Sequence, residues 1–212
     1  PTRPRKKAFH IRLGARTNIS LQGVGLYRWY GGNLAARQFG GKLNIQHDLS
    51  TTQRVAVQFD GRNTDSAFGE GYRGWQLGVA GTYEQVVAKS AIVSASLFAR
   101  RDMMNFKSFS SKTFGFNLGI GGELPLGINA GVFGGASRAV YDEAQPFFSP
   151  DSAAPEVRKD WRYQARVYLG LRQIRVMGFS PSIEYSFSQV STNYAYYQSN
   201  RHRVQFKIAR YF

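Results

Sequence analysis

Apolar and polar residues alternate along most of this chain in short segments. A period of two is the repeat of a β-strand, because successive side chains of a strand point to opposite faces. No segment sustains the helical period of 3.6 residues. The alternating segments lie at residues 9–16, 43–49, 55–60, 75–84, 93–100, 114–121, 127–140, 160–172, 183–187 and 203–212. The pattern therefore predicts an all-β chain of about ten strands.

The last segment indicates which environment each face of the strands meets. Val204, Phe206 and Ile208 lie on one face, and basic residues such as Arg203 and Lys207 lie on the other. A soluble domain would bury the apolar face in a core. A membrane barrel instead turns that face toward lipid and turns the basic face into a wet lumen.

The chain ends on Phe212. A terminal Phe on an amphipathic strand resembles the signal by which the barrel insertion machinery recognises bacterial outer-membrane proteins. We therefore interpret Phe206, Ile208 and Phe212 as a barrel-assembly signal. The expected partners are outer-membrane lipid and this insertion machinery.

The connections between the predicted strands alternate in length. Short connections lie at residues 49–52, 87–90, 124–127 and 173–178, and long ones lie at 22–40, 61–71, 102–112, 142–159 and 191–200. Bacterial outer-membrane barrels alternate short periplasmic turns with longer extracellular loops. The chain is therefore predicted to form an antiparallel up-and-down transmembrane β-barrel in the bacterial outer membrane, with both termini beside the short turns. A soluble barrel or sandwich stays the alternative.

The composition is compatible with one barrel domain. The 212 residues include no Pro/Ser-rich linker, so we expect a single domain at residues 8–212 behind a basic linker at residues 1–7. The mean hydropathy is -0.36, and no apolar run has the length of a transmembrane helix. Cysteine is absent, which excludes a disulfide framework. An outer-membrane protein needs a signal peptide, so Pro1 would be a mature or excised start.

The formal net charge of +15 raises the question of a nucleic-acid partner. The basic residues are spread through strand after strand, and no helix-turn-helix, zinc-finger or RNP-like motif occurs, so we expect no such partner. Charge in a wet lumen explains the spread equally well. The residues predicted to line the lumen are Arg12, Arg16, Lys42, Arg54, Arg100, Arg162, Arg166, Arg172, Glu184, Arg203 and Lys207.

This excess of cations would favour anions if the lumen were open. A barrel of about ten strands is only slightly wider than the eight-stranded size whose interior side chains fill. We therefore expect a largely filled lumen, in which the basic residues pair in part with Asp60, Glu84, Asp160 and Glu184.

No pattern typical of an enzyme occurs. His10, His47 and His202 lie on separate predicted strands, without the spacing of a metal site. Gly119 and Gly121 lie within a strand and lack the helix that phosphate binding needs, so close strand packing explains them better. We expect no catalytic residue, no cofactor and no metal.

The longest connection, residues 142–159, is too long and proline-rich for a periplasmic turn, so it is predicted to lie outside the cell. It contains the adjacent pair Phe147 and Phe148. Exposed apolar patches commonly mark interaction sites. We interpret this pair as a contact for a client or a partner subunit.

The C-terminal third resembles a known family. The motifs are Gly178-Phe-Ser-Pro181, Ser191-Thr-Asn193 with Tyr196 and Tyr197, and Asn200-Arg-His-Arg-Val204, preceded by Arg158-Lys-Asp160. Together they look like the closing hairpin of the surface lipoprotein assembly modulator (Slam) barrels. The match is strongest in the last quarter of the chain.

The resemblance implies a barrel that helps particular lipoproteins or secreted partners cross the outer membrane. Family barrels normally follow a periplasmic tetratricopeptide-repeat domain and are expected to have about fourteen strands. The predicted function is therefore assistance in the export or surface assembly of a protein partner. The alternative is a small structural or interaction barrel, or a narrow anion-selective pore, with no export role.

Overall fold

The computed structural model of the protein describes residues 2–67, 69–88, 90–145, 156–171, 173–174 and 179–210, with side chains described between residues 9 and 208 of these ranges. The described residues form eleven antiparallel strands in one sheet. The strands are β1 (Thr2–Leu13), β2 (Thr17–Tyr30), β3 (Asn33–Asp48), β4 (Gln53–Ser66), β5 (Gly74–Val87), β6 (Ala91–Met104), β7 (Ser111–Leu124), β8 (Ile128–Tyr141), β9 (Lys159–Leu171), β10 (Phe179–Thr192) and β11 (Ser199–Arg210).

Each strand pairs with its neighbour in the chain, so the sheet order runs from β1 to β11 without a crossover. The sheet curls into a barrel, and one inner cavity is walled by side chains from β5 through β10. The prediction of an all-β, up-and-down antiparallel barrel is confirmed, with eleven described strands in place of about ten.

The additional strand is β2, whose residues 22–30 fall in the segment expected to be a long loop at residues 22–40, as does the start of β3. That expectation is wrong. β2 and β3 form a hairpin whose turn is Gly31 and Gly32, both with positive φ (57° and 84°), as a two-residue hairpin turn requires. The alternation of β2 is weak because Gly23 and Gly25 occupy outward positions while Val24 and Leu26 point inward.

Because the number of described strands is odd, the first and the last strand begin at the same end of the barrel, so Thr2 and Arg210 lie at opposite ends. Thr2 lies at the end of the barrel that carries the long connections, and Arg210 lies at the end with the short turns. The expectation that both termini lie beside the short turns is therefore wrong. The basic segment expected to be a linker also differs, since β1 begins at Thr2 and Arg5 pairs with Gly25 of β2.

The connections sort by end much as expected. One end carries the connections that follow β1, β3, β5, β7 and β9, and the other carries those that follow β2, β4, β6, β8 and β10. The short turn at 31–32 is the exception at the long-connection end.

Apolar residues cover the outer face of the sheet. Leu77, Val79, Phe116, Leu118 and Val167 are all more than a third exposed although they lie within central strands. Only three apolar side chains are buried among the described residues, and none lies in a continuous core.

None of the described residues forms a helix that is long and apolar enough to cross a membrane.

The sheet has two edges. Among the described strands, β1 is hydrogen-bonded only to β2, and β11 is hydrogen-bonded only to β10.

Candidate functional site

The inner wall of the barrel carries most of the polar and basic side chains. The pairing register connects inward residues of neighbouring strands into rows, because directly paired residues share a face. One row crosses eight strands as Arg54, Glu84, Ser94, Gly119, Phe133, Arg166, Ser186 and Arg203. The basic residues of this row are therefore separated from one another by residues that carry no positive charge.

The inner wall encloses a cavity of about 470 Å³. Its polar lining consists mostly of hydroxyl and amide groups, from Thr82, Ser94, Ser96, Asn117, Gln164, Arg166, Ser186 and Ser188. Two of these amides are connected, since Gln164 Nε2 donates to Asn117 Oδ1 at 2.7 Å. A second cavity of about 490 Å³ adjoins it and includes Arg100, Arg162 and Asp102. The lumen is thus neither fully filled nor uniformly basic along this part of the wall.

Two aromatic rings lie flat over glycines of the inner wall. A Cβ at Gly119 would overlap the Phe133 ring, and one at Gly131 would overlap Tyr168. The two rings stack at 6.0 Å, and the Arg166 guanidinium lies 4.8 Å from the centre of the Phe133 ring. Phe133 breaks the alternation of β8 because it fills this inward position.

Ion pairs lie along the inner wall. Arg54 Nε is 2.7 Å from Asp48 Oδ1, and Lys207 Nζ is 2.8 Å from Glu184 Oε2. Arg100 Nε is 2.9 Å from an oxygen of Asp102. These side chains remain partly exposed to solvent, so each pair contributes little to the stability of the fold.

A buried cluster lies at the long-connection end. Arg158 donates to both carboxylate oxygens of Asp160, at 2.8 and 2.6 Å, and Asp160 is fully buried. The guanidinium of Arg158 lies 4.5 Å from the ring centre of Tyr141 and 3.5 Å from that of Tyr197. Arg162 Nη2 approaches the same carboxylate at 3.4 Å. The cluster joins β8, β9 and the 3₁₀ turn Ala195–Tyr197.

The two connections beside this cluster are fastened to each other. Tyr194 Oη donates to the backbone oxygen of Glu156 at 2.5 Å, and Tyr197 Oη donates to Gln145 Oε1 at 2.7 Å. The backbone N–H of Lys159 donates to the side chain of Asn193 at 2.8 Å. Both flanks of the connection at 142–158 are therefore held against the connection at 193–198.

A second ion pair anchors the start of the longest connection. Arg101 Nη1 donates to Asp142 Oδ1 at 2.7 Å, and Arg101 Nη2 donates to Asp142 Oδ2. These hydrogen bonds hold the pKa of the Asp142 carboxyl below its ordinary value. The backbone N–H of Asp142 also donates to Ser110 O, which joins this connection to the one at 105–110.

Most of the predicted lumen residues lie at inward-facing positions of the strands, as their pairing register shows. These are Arg12, Lys42, Arg54, Arg100, Arg162, Arg166, Glu184, Arg203 and Lys207. Their roles in the lumen stay predictions.

Arg16 differs, because β1 ends at Leu13 and Gly14, at φ 71°, begins a turn that contains Arg16. Its backbone oxygen accepts from the Asp48 N–H at the short-turn end. Arg172, Phe212 and the pair Phe147 and Phe148 lie outside the described residues.

The sequence did not reveal the cluster around Arg158. Arg158 and Asp160 belong to a motif of the family resemblance, but Tyr141 and Tyr197 are distant in the sequence and carry no pattern that joins them to it. Only the pairing of β8 with β9 and the fold of the 193–198 connection bring the rings to the guanidinium.

In the part of the chain that the structure describes, no group of three or more His, Cys, Asp or Glu side chains could hold a metal ion.

Residues 13–212 match the protein family described as surface lipoprotein assembly modifier. No curated protein matches the chain significantly. The fold is similar to the solved structure of LpxR from Salmonella typhimurium, with 9% identity and a TM-score of 0.42, over 99% of this chain and 88% of that one. The match to the family extends well beyond the last quarter of the chain, where the resemblance was strongest.

Proposed function

The chain belongs to the surface lipoprotein assembly modifier family, and from this we propose that its barrel acts directly on a lipoprotein partner, assisting export or surface assembly. Membership makes the protein an outer-membrane protein with a role in the surface assembly of lipoproteins. The direct action of the barrel on the partner is the further step. The proposal assigns no catalytic residue and no cofactor to this action.

The family match over residues 13–212 is the observation that carries the proposal. Two features of the barrel support it. The outer face is apolar and suits lipid, while the inner wall offers hydroxyl, amide and basic groups to a polypeptide. At the long-connection end, the buried Arg158 cluster and the hydrogen bonds of Tyr194 and Tyr197 hold the described flanks of the 142–158 connection against the connection at 193–198, which supports a docking surface there.

A surface-exposure experiment tests the proposal on all lipoproteins of the cell at once, so the partner need not be identified first. Lipoproteins are labelled metabolically with an alkyne fatty acid, and intact cells with and without the gene are treated with external protease. We expect at least one lipoprotein to lose protease accessibility in the deletion strain while its total amount is kept. An identical set of cleaved lipoproteins in the two strains would contradict the proposal. Re-expression of the full protein is the control.

We also propose that the insertion machinery recognises β11. Phe206 and Ile208 project from the outer face of β11 and are 81% and 75% exposed. Replacing both with Ser should lower the amount of folded barrel in the outer membrane, measured by heat-modifiable migration. Val132→Ser and Val167→Ser, which alter the outer face away from β11, serve as the matched control.

The contact proposed for Phe147 and Phe148 has a separate test. The double variant Phe147→Ala and Phe148→Ala should keep normal barrel folding but weaken capture of the lipoprotein that the exposure experiment identifies. Full capture by the double variant would contradict the contact and leave the assembly function untouched.

A narrow anion-selective pore is the second candidate, and the basic residues beside the inner cavities favour it. Planar-bilayer recording should then show a small conductance that prefers chloride to potassium. Arg162→Glu with Arg166→Glu should reduce that preference, whereas a large cation-selective conductance would exclude this candidate.

A further inference from the structure

Positive charges cluster on the outer face of the barrel, next to the long connections. Lys112 lies at the start of β7, and Lys159 lies at the start of β9. Both pair with Val140 of β8, one from each side, and Arg138 lies two positions before Val140. Two strand spacings, about 10 Å, separate the backbones of Lys112 and Lys159. All three side chains are exposed, and we call Lys112, Arg138 and Lys159 the outer basic patch.

Aromatic rings indicate the depth of this patch in the membrane. Phe114 and Trp161 pair with Arg138 from its two sides and are 65% and 44% exposed, so this row faces outward. The Arg138 guanidinium lies 5.6 Å from the centre of the Trp161 ring, which stacks with Tyr163 at 6.2 Å. Trp and Tyr are enriched at membrane–water interfaces, where their rings lie at the level of the lipid headgroups. The outer basic patch therefore lies at headgroup depth.

The positive charges of this face stop at the level of Arg138. On β6, β7, β8 and β9, every outward position from there to the short turns is uncharged. A cation near the midplane of a bilayer is costly, whereas one near the interface costs little. The patch is therefore placed where a lipid headgroup, and not a lipid tail, meets the barrel.

The patch lacks a counter-charge among the described residues. No described carboxylate forms an ion pair with Lys112, Arg138 or Lys159. Lys112 is close enough to lower the pKa of Asp142, but Arg101 donates to both carboxylate oxygens of Asp142. Arg101 also pairs with Lys112 in the sheet, which adds a cation to the same row. Because cations at such spacing repel one another, an anionic ligand would stabilise the patch.

Small residues continue from the patch toward the middle of the membrane. The next outward positions of β8 after Arg138 hold Ala136 and Gly134. Ala136 pairs with Phe116 and Tyr163, whose larger side chains are 44% and 41% exposed. These rings stand on both sides of Ala136 and leave a shallow apolar channel between them. A lipid acyl chain suits this channel.

The leaflet that the patch meets decides which lipid it can bind. Long connections lie outside the cell in bacterial barrels, so the patch faces the outer leaflet of the outer membrane. In Gram-negative bacteria this leaflet consists mainly of lipopolysaccharide, whose lipid A anchor is a glycolipid with two phosphates and several acyl chains. We propose that the outer basic patch binds the phosphates of lipid A and that the channel over Ala136 holds one of its acyl chains. Lys and Arg donate charge-assisted hydrogen bonds to phosphate oxygens.

Native mass spectrometry of the full protein in detergent micelles measures this binding. The probes are diphosphoryl lipid A, monophosphoryl lipid A and phosphatidylglycerol, each titrated separately. We expect diphosphoryl lipid A to bind at least about tenfold more tightly than either other lipid, because it offers a second phosphate to the patch. Equal affinity for the two forms of lipid A would overturn the recognition of its phosphates. Equal affinity for phosphatidylglycerol would show a general surface for anionic lipid and would overturn the assignment to lipid A.

Variants of the patch test its role directly. Lys112→Gln, Arg138→Gln and Lys159→Gln together should weaken the binding of diphosphoryl lipid A at least about tenfold. Lys112→Arg with Lys159→Arg keeps the charge and should keep the affinity. Native affinity in the triple Gln variant would overturn the proposal.

A second triple variant is the matched control. Arg12→Gln, Lys42→Gln and Arg203→Gln together remove the same number of positive charges from the inner wall and should leave lipid A binding unchanged. Heat-modifiable migration checks that both triple variants are folded. If the two triple variants lose affinity equally, the lipid binds through the net charge of the protein, and the proposal falls.

Filling the channel tests the position of the acyl chain. Ala136→Trp should weaken the binding of diphosphoryl lipid A, because the indole occupies the space between Phe116 and Tyr163. Ala95→Trp, on the outer face of β6, is the control and should leave the binding unchanged. Native affinity in Ala136→Trp would overturn the part of the proposal that concerns the channel.

The lipid site goes beyond the proposed function and does not depend on it. If diphosphoryl lipid A binds through the patch but deletion of the gene leaves the surface lipoproteins unchanged, only the assembly function is wrong. Sidedness is a separate test of the lipid site. If Tyr196→Cys reacts with a membrane-impermeant maleimide only after lysis, the patch lies in the inner leaflet, and the assignment to lipid A is wrong.

Discussion

Arg158 and Asp160 form a buried ion pair in which the guanidinium donates to both carboxylate oxygens. The Arg158 side chain is 9% exposed and that of Asp160 is 0% exposed. Two tyrosine rings, from Tyr141 and Tyr197, flank the guanidinium. This pair connects the barrel wall to the longest connection, so the arrangement of the rim depends on it.

Removing the charge of Asp160 should therefore be costly. Asp160→Asn should lower the free energy of unfolding by about 3 to 5 kcal/mol, because it leaves a buried guanidinium without its counter-charge. Glu143→Gln is the control, since Glu143 forms an exposed pair with Lys107 and should change stability by only about 0 to 1 kcal/mol. Urea unfolding in detergent micelles measures both. Equal losses would show that the cluster is not a structural centre of the rim.

The pair of Arg101 and Asp142 predicts a dependence on pH at the same rim. Asp142 has a lowered pKa in the folded protein because Arg101 donates to it. Its contribution to stability is complete above the unfolded pKa, about 3.9, and is lost as pH falls through the lower folded pKa. The protection of the Asp142 N–H, measured as its hydrogen-exchange rate relative to the intrinsic rate at the same pH, should decrease as pH falls through this acidic range. In Asp142→Asn the protection should be low at every pH. A native-like pH profile in that variant would refute the role of the carboxylate.

Replacing a glycine beneath an aromatic ring should cost more stability than replacing a glycine on the open outer face. Gly119→Ala should destabilise the barrel by about 1 to 3 kcal/mol, because the new Cβ overlaps the Phe133 ring. Gly81 is the matched control, since a Cβ there meets nothing within 4 Å. Gly81→Ala should be neutral or slightly stabilising. Thermal unfolding of the two variants side by side makes the comparison, and equal midpoints would argue against the ring contact.

The two faces of β5 should respond differently to a charge. Val79 lies on the outer face, and Thr82, three positions further along the same strand, lines the inner cavity. Val79→Arg should cost about 2 to 4 kcal/mol in a bilayer, because it exposes a guanidinium to lipid near the midplane. Thr82→Arg should cost much less, since its guanidinium reaches water and Glu84 lies on the same face. If the two variants lose comparable free energy of unfolding in a bilayer, the assignment of Val79 to the outer face and Thr82 to the inner face is wrong.

The sorting of connections predicts the orientation of the barrel in the membrane. Long connections lie outside the cell in bacterial barrels. The protein has no cysteine of its own, so single-cysteine variants at Tyr196 and Thr51 place one thiol at opposite ends of the barrel. A membrane-impermeant maleimide should label Tyr196→Cys on intact cells, whereas Thr51→Cys should react only after lysis. The reverse pattern would show that the barrel is inserted the other way.

Local sequence pattern was sufficient to predict the fold class and most strands. The pleat of a strand sends alternate side chains to opposite faces whatever the rest of the chain does, so β5, β7 and β9 could be recognised from their own residues. The same rule failed at β2, where Gly23 and Gly25 contribute no apolar side chain to the outer face. One missed strand changed the parity of the sheet and the end at which Thr2 lies.

The sequence by itself determined which residues alternate, how basic the inner positions are, and the family that the closing hairpin resembles. Tertiary structure alone decided that Phe133 covers Gly119, that two tyrosines flank the Arg158 guanidinium, and that β1 pairs with β2. The physical reason is the range of the interactions. Strand formation depends on neighbours along the chain, whereas ring packing, burial of an ion pair and closure of a sheet depend on residues that only the pairing of distant strands brings together.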